Sequence, residues 1–265
     1  MFRTVFLHFD SASARYLTDV NNTTTVTSNP YKAQYTMNQA FTNIKRVYLK
    51  SLECPVGFSN VRTGSTNVFS FVLNGTTYNV SLPEKNYTST ATLLTDLTTA
   101  CVGVVSGVVM TFSLTSSLTT PNRLRITFTG ATTTSSFSVI DTSNLSKYIL
   151  GFRASKDVLT GGVYTASYAN YNLNPDNYIS MYIPSLNGMN ASMSGQQATF
   201  KIPLNTVTNQ VYFYQENSSF KQWVDITDKN LILSALNVSI YDKFGKDLQN
   251  NGLDFSFTLA IDLWN

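Results

Sequence analysis

The sequence predicts an all-β protein, a single jelly-roll sandwich of two antiparallel sheets with one or two short helices in its connecting loops. Three observations carry this. Apolar and polar residues alternate with period two, most clearly from Leu253 to Leu263, where every odd position is a large apolar side chain and every even one is small, hydroxylated or acidic. Only an extended strand sorts such a run onto two faces. Turn residues punctuate the chain every ~8–12 residues, the spacing of sandwiches and barrels. Charged residues make up 12% of the chain and aromatics 13%, against ~25% charged in an average soluble protein. Such a hydroxyl- and tyrosine-rich composition suits stacked sheets and contact surfaces.

A chain of 265 residues buries roughly three quarters of its unfolded surface and needs no metal or disulfide to staple its core. No repeat or composition shift divides it, so residues 1–30 read as an N-terminal arm and loop and residues 31–265 as one jelly-roll domain. The net charge is +3, and no Lys/Arg run reaches the length of a nucleic-acid patch. No window has the ~18 apolar residues of a membrane span. The apolar run at the N-terminus is too short for a signal peptide, so synthesis in a cytoplasm, without secretion or anchoring, is expected. Sequons such as Asn22-Thr23-Thr24, Asn74-Gly75-Thr76 and Asn237-Val238-Ser239 arise by chance in so Asn- and Thr-rich a chain.

In chain order, Thr4–Phe9 reads as a first strand or an extended arm, followed by a long polar loop over residues 10–29. Tyr31–Met37 and Ile44–Glu53 are strands, the second stopped by Pro55. Within it Val47 and Leu49 point to the core, which places Arg46, Tyr48 and Lys50 together on a solvated or subunit-contact face. Asn74-Gly75 between the alternating runs Phe69–Leu73 and Tyr78–Leu82 is a hairpin signal, because both turn positions need positive φ. Thr88 resembles a helix N-cap, and Leu93, Leu94, Leu97 and Cys101 recur at helical spacing up to Gly103. This stripe is expected over an open end of the sandwich. Val108–Leu114 and Leu124–Phe128 form a second hairpin, Phe137–Val139 a brief strand, and Asn144–Leu150 a short helix ended by Gly151. Gly161-Gly162 and the tyrosines 164, 168 and 171 make a long connection. Tyr178–Ile183, Thr199–Leu204, Val211–Tyr214 and Trp223–Ile226 are further strands, with Pro203 marking an edge, and residues 188–195 are a loop. Leu231–Ile240 leads into the final run, and the two are expected to pair and close the sandwich.

No catalytic, cofactor or metal site is legible. His8, the only histidine, sits in an alternating apolar run. The glutamates are Glu53, Glu84 and Glu216, and the loop carboxylates Asp225 with Asp228 and Asp242 with Asp247 have turn spacing, not calcium-loop spacing. Cys54 and Cys101 fit neither a disulfide framework nor a zinc motif and read as buried thiols. The surplus lies in aromatics: Tyr164, Tyr168, Tyr171, Tyr212, Tyr214 and Trp264 are read as exposed, fitted to a protein interface or to stacking sugars in a carbohydrate- or receptor-binding module such as a spike or fibre head.

The segments 49–55, 58–61 and 67–69 resemble the opening pattern of the minor capsid or penton proteins of large icosahedral double-stranded DNA viruses and virophages. Asn86-Tyr87-Thr88, Leu150-Gly151-Phe152, 178–183, Leu236–Asp242, Gly245 and 252–259 continue the resemblance in the same order. It spans roughly residues 31–263. Cys54 stands where an aliphatic residue is more usual and Phe255 where a Trp is expected. The resemblance implies a single jelly roll that closes five-fold vertices as a homopentamer, contacts the major capsid protein and other minor capsid proteins and resides in the virion, while the residues themselves lead to the expectation of no specific nucleic acid and no reaction. The arm 1–10 and the loops 164–171 and 188–195 are the expected contact segments.

Overall fold

The computed structural model describes residues 2–13, 15–16, 32–115, 122–130, 136–140, 143–152, 162–165, 170–186, 190–191, 197–205, 210–217, 221–226, 231–248 and 250–264. Its strands are β1 (Phe2–Asp10), β2 (Arg15–Tyr16), β3 (Lys32–Phe41), β4 (Ile44–Pro55), β5 (Val68–Leu73), β6 (Thr76–Ser81), β7 (Val109–Leu114), β8 (Leu124–Thr129), β9 (Phe137–Val139), β10 (Val163–Thr165), β11 (Tyr178–Tyr182), β12 (Asn190–Ala191), β13 (Gln197–Ala198), β14 (Phe200–Pro203), β15 (Val211–Gln215), β16 (Trp223–Asp225), β17 (Leu233–Tyr241) and β18 (Ser256–Trp264). Helix α1 covers Thr90–Cys101.

The chain divides into two compact units, Met1–Phe58 with Asp176–Asn265, and Ser59–Pro175. This differs from the expectation of an arm followed by one domain over 31–265. Both units are β-rich and both bury aliphatic and aromatic residues, so no shift in composition marks their boundary.

In the first unit, one sheet runs β1-β18-β4-β15, with β16 also on β4, and the other runs β14-β11-β17-β3-β2. β15 pairs with Ser51–Pro55 and β16 with Arg46–Tyr48 of the same strand, so together they act as one interrupted strand. Counting them so and setting aside the two-residue strands β2, β12 and β13, the eight strands in chain order are β1, β3, β4, β11, β14, β15/β16, β17 and β18. The first, eighth, third and sixth make one sheet and the fifth, fourth, seventh and second the other. That order is the jelly roll. Between its third and fourth strands the chain leaves to form the second unit.

The sandwich core takes inward rows from both sheets: Val47, Leu49 and Leu52 from β4, Phe257, Leu259 and Ile261 from β18, Ile179 and Met181 from β11, and Leu236, Val238 and Ile240 from β17. Phe9 stacks on Phe257 at 4.9 Å and meets Tyr35 edge-on at 5.3 Å. Burying each such ring stabilises by about 1.5–3 kcal/mol. β1 is therefore a core strand, paired with β18 along its whole length, and not a free arm. The two closing runs do not pair with each other. β17 lies between β3 and β11 and β18 between β1 and β4, because each inward row faces the common core from a different sheet. Leu253 precedes β18 and is exposed. Pro203 falls on β14, which ends its sheet as the missing N–H requires.

The second unit holds two three-stranded sheets, β6-β5-β9 and β10-β8-β7. The Asn74-Gly75 hairpin forms with φ of 51° and 79°, and β7 pairs with β8 as expected. Phe69, Phe71, Phe112, Phe128, Phe137, Phe152 and Tyr164 fill the space within it. Helix α1 begins one residue later than Thr88 suggested, with Ser89 at its N-cap. Its Leu93, Leu94, Leu97 and Cys101 belong to this second core and not to that of the jelly roll. A π-helical turn at Leu145–Ile149 stands where a short helix was expected, and Gly151 follows at φ 84°.

Candidate interaction surface

Alternation along β4 turns Val47 and Leu49 inward and leaves Arg46, Tyr48 and Lys50 half-buried on the other face, as the sequence indicated. Pairing register then assembles rows across four strands. One row is Asp225, Arg46, Asp262 and Thr4, and the next is Trp223, Tyr48, Ala260 and Phe6. Arg46 Nε donates to Asp225 Oδ1 at 2.5 Å, Tyr48 donates to Asp262 Oδ2 at 2.9 Å, and Thr4 donates to Asp262 Oδ1 at 2.7 Å. The Arg46 guanidinium lies 5.4 Å from the Trp223 ring centre and 5.9 Å from that of Tyr48. Lys45 Nζ stands 4.6 Å from the Trp264 ring centre, and Lys50 pairs with Glu216. His8 is exposed and meets Thr258 Oγ1 at 3.1 Å.

Electrostatics follow from these contacts. The hydrogen bond from Arg46 holds the Asp225 carboxyl below the usual range, and the same bond raises Arg46. Burial raises the Tyr48 phenol. Because Arg46 and Asp225 remain partly exposed, this pairing orders the surface more than it stabilises the fold. What the arrangement offers is a firm, neutralised sheet face with aromatic rims, suited to covering by another protein.

The aromatic expectation is corrected in part. Tyr164, Tyr212 and Tyr214 are buried, not exposed. Tyr164 lies on β10 with its ring 5.0 Å from Phe137, and burial raises Tyr212 and Tyr214 above the ordinary phenol range. Tyr171 is half-buried, Trp264 is 51% exposed, and Tyr168 lies outside the described residues, as do Asn22-Thr23-Thr24, Asp228 and most of the 188–195 loop. A sugar-stacking surface built on 164–171 thus loses one of its three rings to the core. The exposed rings missed in the sequence are Phe6 at 63%, Phe213 at 65% and Trp223 at 47%. In Val211-Tyr212-Phe213-Tyr214 every residue is apolar or aromatic, so composition does not fix the phase. Polar tips suggested tyrosines outward, while packing put them inward.

No protein-family model matches the sequence, and no curated protein matches it. The chain is similar to a viral penton protein. The crystal structure of the mavirus penton protein matches over 98% of this chain and 99% of its own, at 12% sequence identity and a TM-score of 0.46.

The motifs of the sequence resemblance turn out to be fold-holding. Asn60 joins Tyr87 and Leu173, accepting from Tyr87 N–H at 2.9 Å and donating to the two carbonyls at 2.8 and 2.7 Å. Asn250 binds the backbone of Pro55 and Gly57. Asp242 accepts from the amides of Phe244 and Lys246 at 2.8 and 2.9 Å, which is turn chemistry. Cys54 and Cys101 are buried free thiols. Among the described residues no group of three or more metal-ligating side chains gathers, and no helix is long and apolar enough to cross a membrane.

Proposed function

We propose that this chain is a structural capsid subunit of the penton type, a building block and not a catalyst. Its sandwich closes five-fold vertices as a homopentamer and meets the major capsid protein around them. Fold alone does not carry function. The observation that supports this reading is where the resembling segments fall. Residues 49–54, 178–182, 236–241 and 256–259 lie on β4, β11, β17 and β18, and each of these four strands is paired on both sides within the jelly roll. The outer rows around Arg46 and Tyr48 supply a charge-balanced aromatic face of the kind repeated subunit contacts use. A ring of heterologous contacts closes without each being strong, since many act together.

The test is a cryo-electron microscopy map of assembled particles, with the chain co-expressed with the major capsid protein of its own virus. Density for the sandwich at the vertices, with five copies about each axis, is expected. Vertices built from another protein, with this chain absent from purified particles, would sink the reading.

A further inference from the structure

We propose that the outer edge of β1 is a docking site for an extended segment of a different polypeptide, which adds to the sheet as one more strand. The inference is independent of the capsid reading, since an open edge recruits a strand whatever the protein's role.

The backbone argues first. Ser11 N–H donates to Phe255 C=O at 2.9 Å, and the β1–β18 register pairs Phe9 with Phe257, Leu7 with Leu259 and Val5 with Ile261. Hydrogen-bonded pairs alternate along an antiparallel ladder, so Val5, Leu7 and Phe9 turn their N–H and C=O groups to β18. Thr4, Phe6 and His8 turn theirs away, to an edge with no further strand among the described residues. Natural edges are blunted by Pro, Lys, bulges or brevity. β14 has Lys201 and Pro203, whereas β1 is nine residues long, has neither residue type and carries its charged residues, Arg3 and Asp10, only near its two ends.

The second observation is a groove of about 380 Å³ beside this edge, lined by Phe9, Tyr35, Met37 and Phe41, with the exposed polar side chains of Thr36, Asn38 and Gln39 along its rim. Its floor is firm, because Phe9, Tyr35 and Phe257 pack on one another. An added strand places every second side chain over that apolar floor and the alternate ones beside Phe6 on the outer face. The same geometry selects the occupant. The edge strands β14, β15 and β1 of a second copy already spend their inward rows, Phe200 and Ile202, Tyr212 and Tyr214, or Val5, Leu7 and Phe9, in their own core, so they cannot also fill the groove. A segment not packed in a sandwich, with apolar residues at alternate positions, can do both. This is strand addition with pockets for alternate side chains.

The probe is a fluorescein-labelled peptide of alternating threonine and valine, as long as β1, titrated into the full chain and followed by anisotropy. A peptide of the same composition with the two residue types in separate blocks is the control. Saturable binding of the alternating peptide alone is expected. Phe6→Pro deletes an outward N–H while leaving the β18 ladder intact and should weaken binding about tenfold, the worth of one good hydrogen bond. Met37→Lys, which charges the groove, should do the same, and circular dichroism checks that each variant is folded. Equal binding of both peptides, or full binding by folded Phe6→Pro and Met37→Lys proteins, would overturn the proposal. Self-association of the chain that Phe6→Pro abolishes would overturn the choice of occupant in favour of a second copy.

Discussion

The side chain of Asn60 grips the backbone of Tyr87 at both ends, accepting its N–H at 2.9 Å and donating to its C=O at 2.8 Å. Neither residue is on a strand, yet both are buried, so this amide carries on the pairing of two segments whose backbones meet in a single bridge, Val61 with Lys85. Asn60→Ala orphans these groups and the carbonyl of Leu173. It should cost roughly 2–4 kcal/mol, since each buried group left unpaired costs about 1–3. Urea unfolding with an unchanged m-value is the check.

Gly57 and Gly130 separate two kinds of steric cost. A Cβ on Gly57 would sit 2.6 Å from Leu253 Cδ1 and 3.0 Å from Asn250 Oδ1. The leucine is exposed and can swing aside, so Gly57→Ala should cost about 1–2 kcal/mol through the asparagine bond alone. On Gly130 the Cβ would meet the Gly107 carbonyl oxygen at 2.1 Å, with φ at +84°. Backbone cannot swing aside, and the conformation itself adds about 1–2 kcal/mol of strain. Gly130→Ala should be the more damaging by thermal melting.

Phe257 stacks on Phe9 and Phe255 at 4.9 and 6.0 Å. Phe257→Ala empties the middle of the sandwich and should cost about 3–5 kcal/mol, read by denaturant titration. Arg46→Gln, on the opposite face of the same sheet, should cost under about 1 kcal/mol because its ion pair is partly exposed, and any larger effect should appear in assembly.

Burial pushes the Cys101 thiol up to about 12 from 9.0. A folded-state pKa above the unfolded one means that the native state keeps a proton the unfolded chain gives up. The associated stability is whole below pH 9 and declines as pH rises toward 12. Stability should therefore fall with a shallower alkaline slope in Cys101→Ala than in the parent. At pH 8 a thiol reagent should label neither cysteine until denaturant is added.

The local structure was readable wherever one short stretch determines it. Asn74-Gly75 admits only a hairpin, Leu93, Leu94, Leu97 and Cys101 only a helix face, and Pro203 only an edge. Partners were not readable, because period two states which residues point inward and not from which sheet. Leu236, Val238 and Ile240 carry the same pattern as Phe257, Leu259 and Ile261, yet the two rows oppose each other. For the same reason the strands of residues 59–175 looked like members of the jelly roll. The contact face was legible in part. Arg46, Tyr48 and Lys50 followed from the inward phase of Val47 and Leu49, whereas Phe6, Trp223 and Phe213 depended on pairing or packing.

β18 lies between β1 and β4, so the centre of one sheet is supplied by the strand furthest along the chain while its neighbours come from the first fifty-five residues. On a ribosome those early strands must wait, unpaired within their sheet, through the whole of the synthesis that separates them from their partner. The unit at Ser59–Pro175 is continuous and all its own contacts become available long before that. Long-range closure of this kind is slow and leaves edges exposed to wrong partners, so holdase chaperones should engage the nascent sandwich strands and not the segment looped out between them.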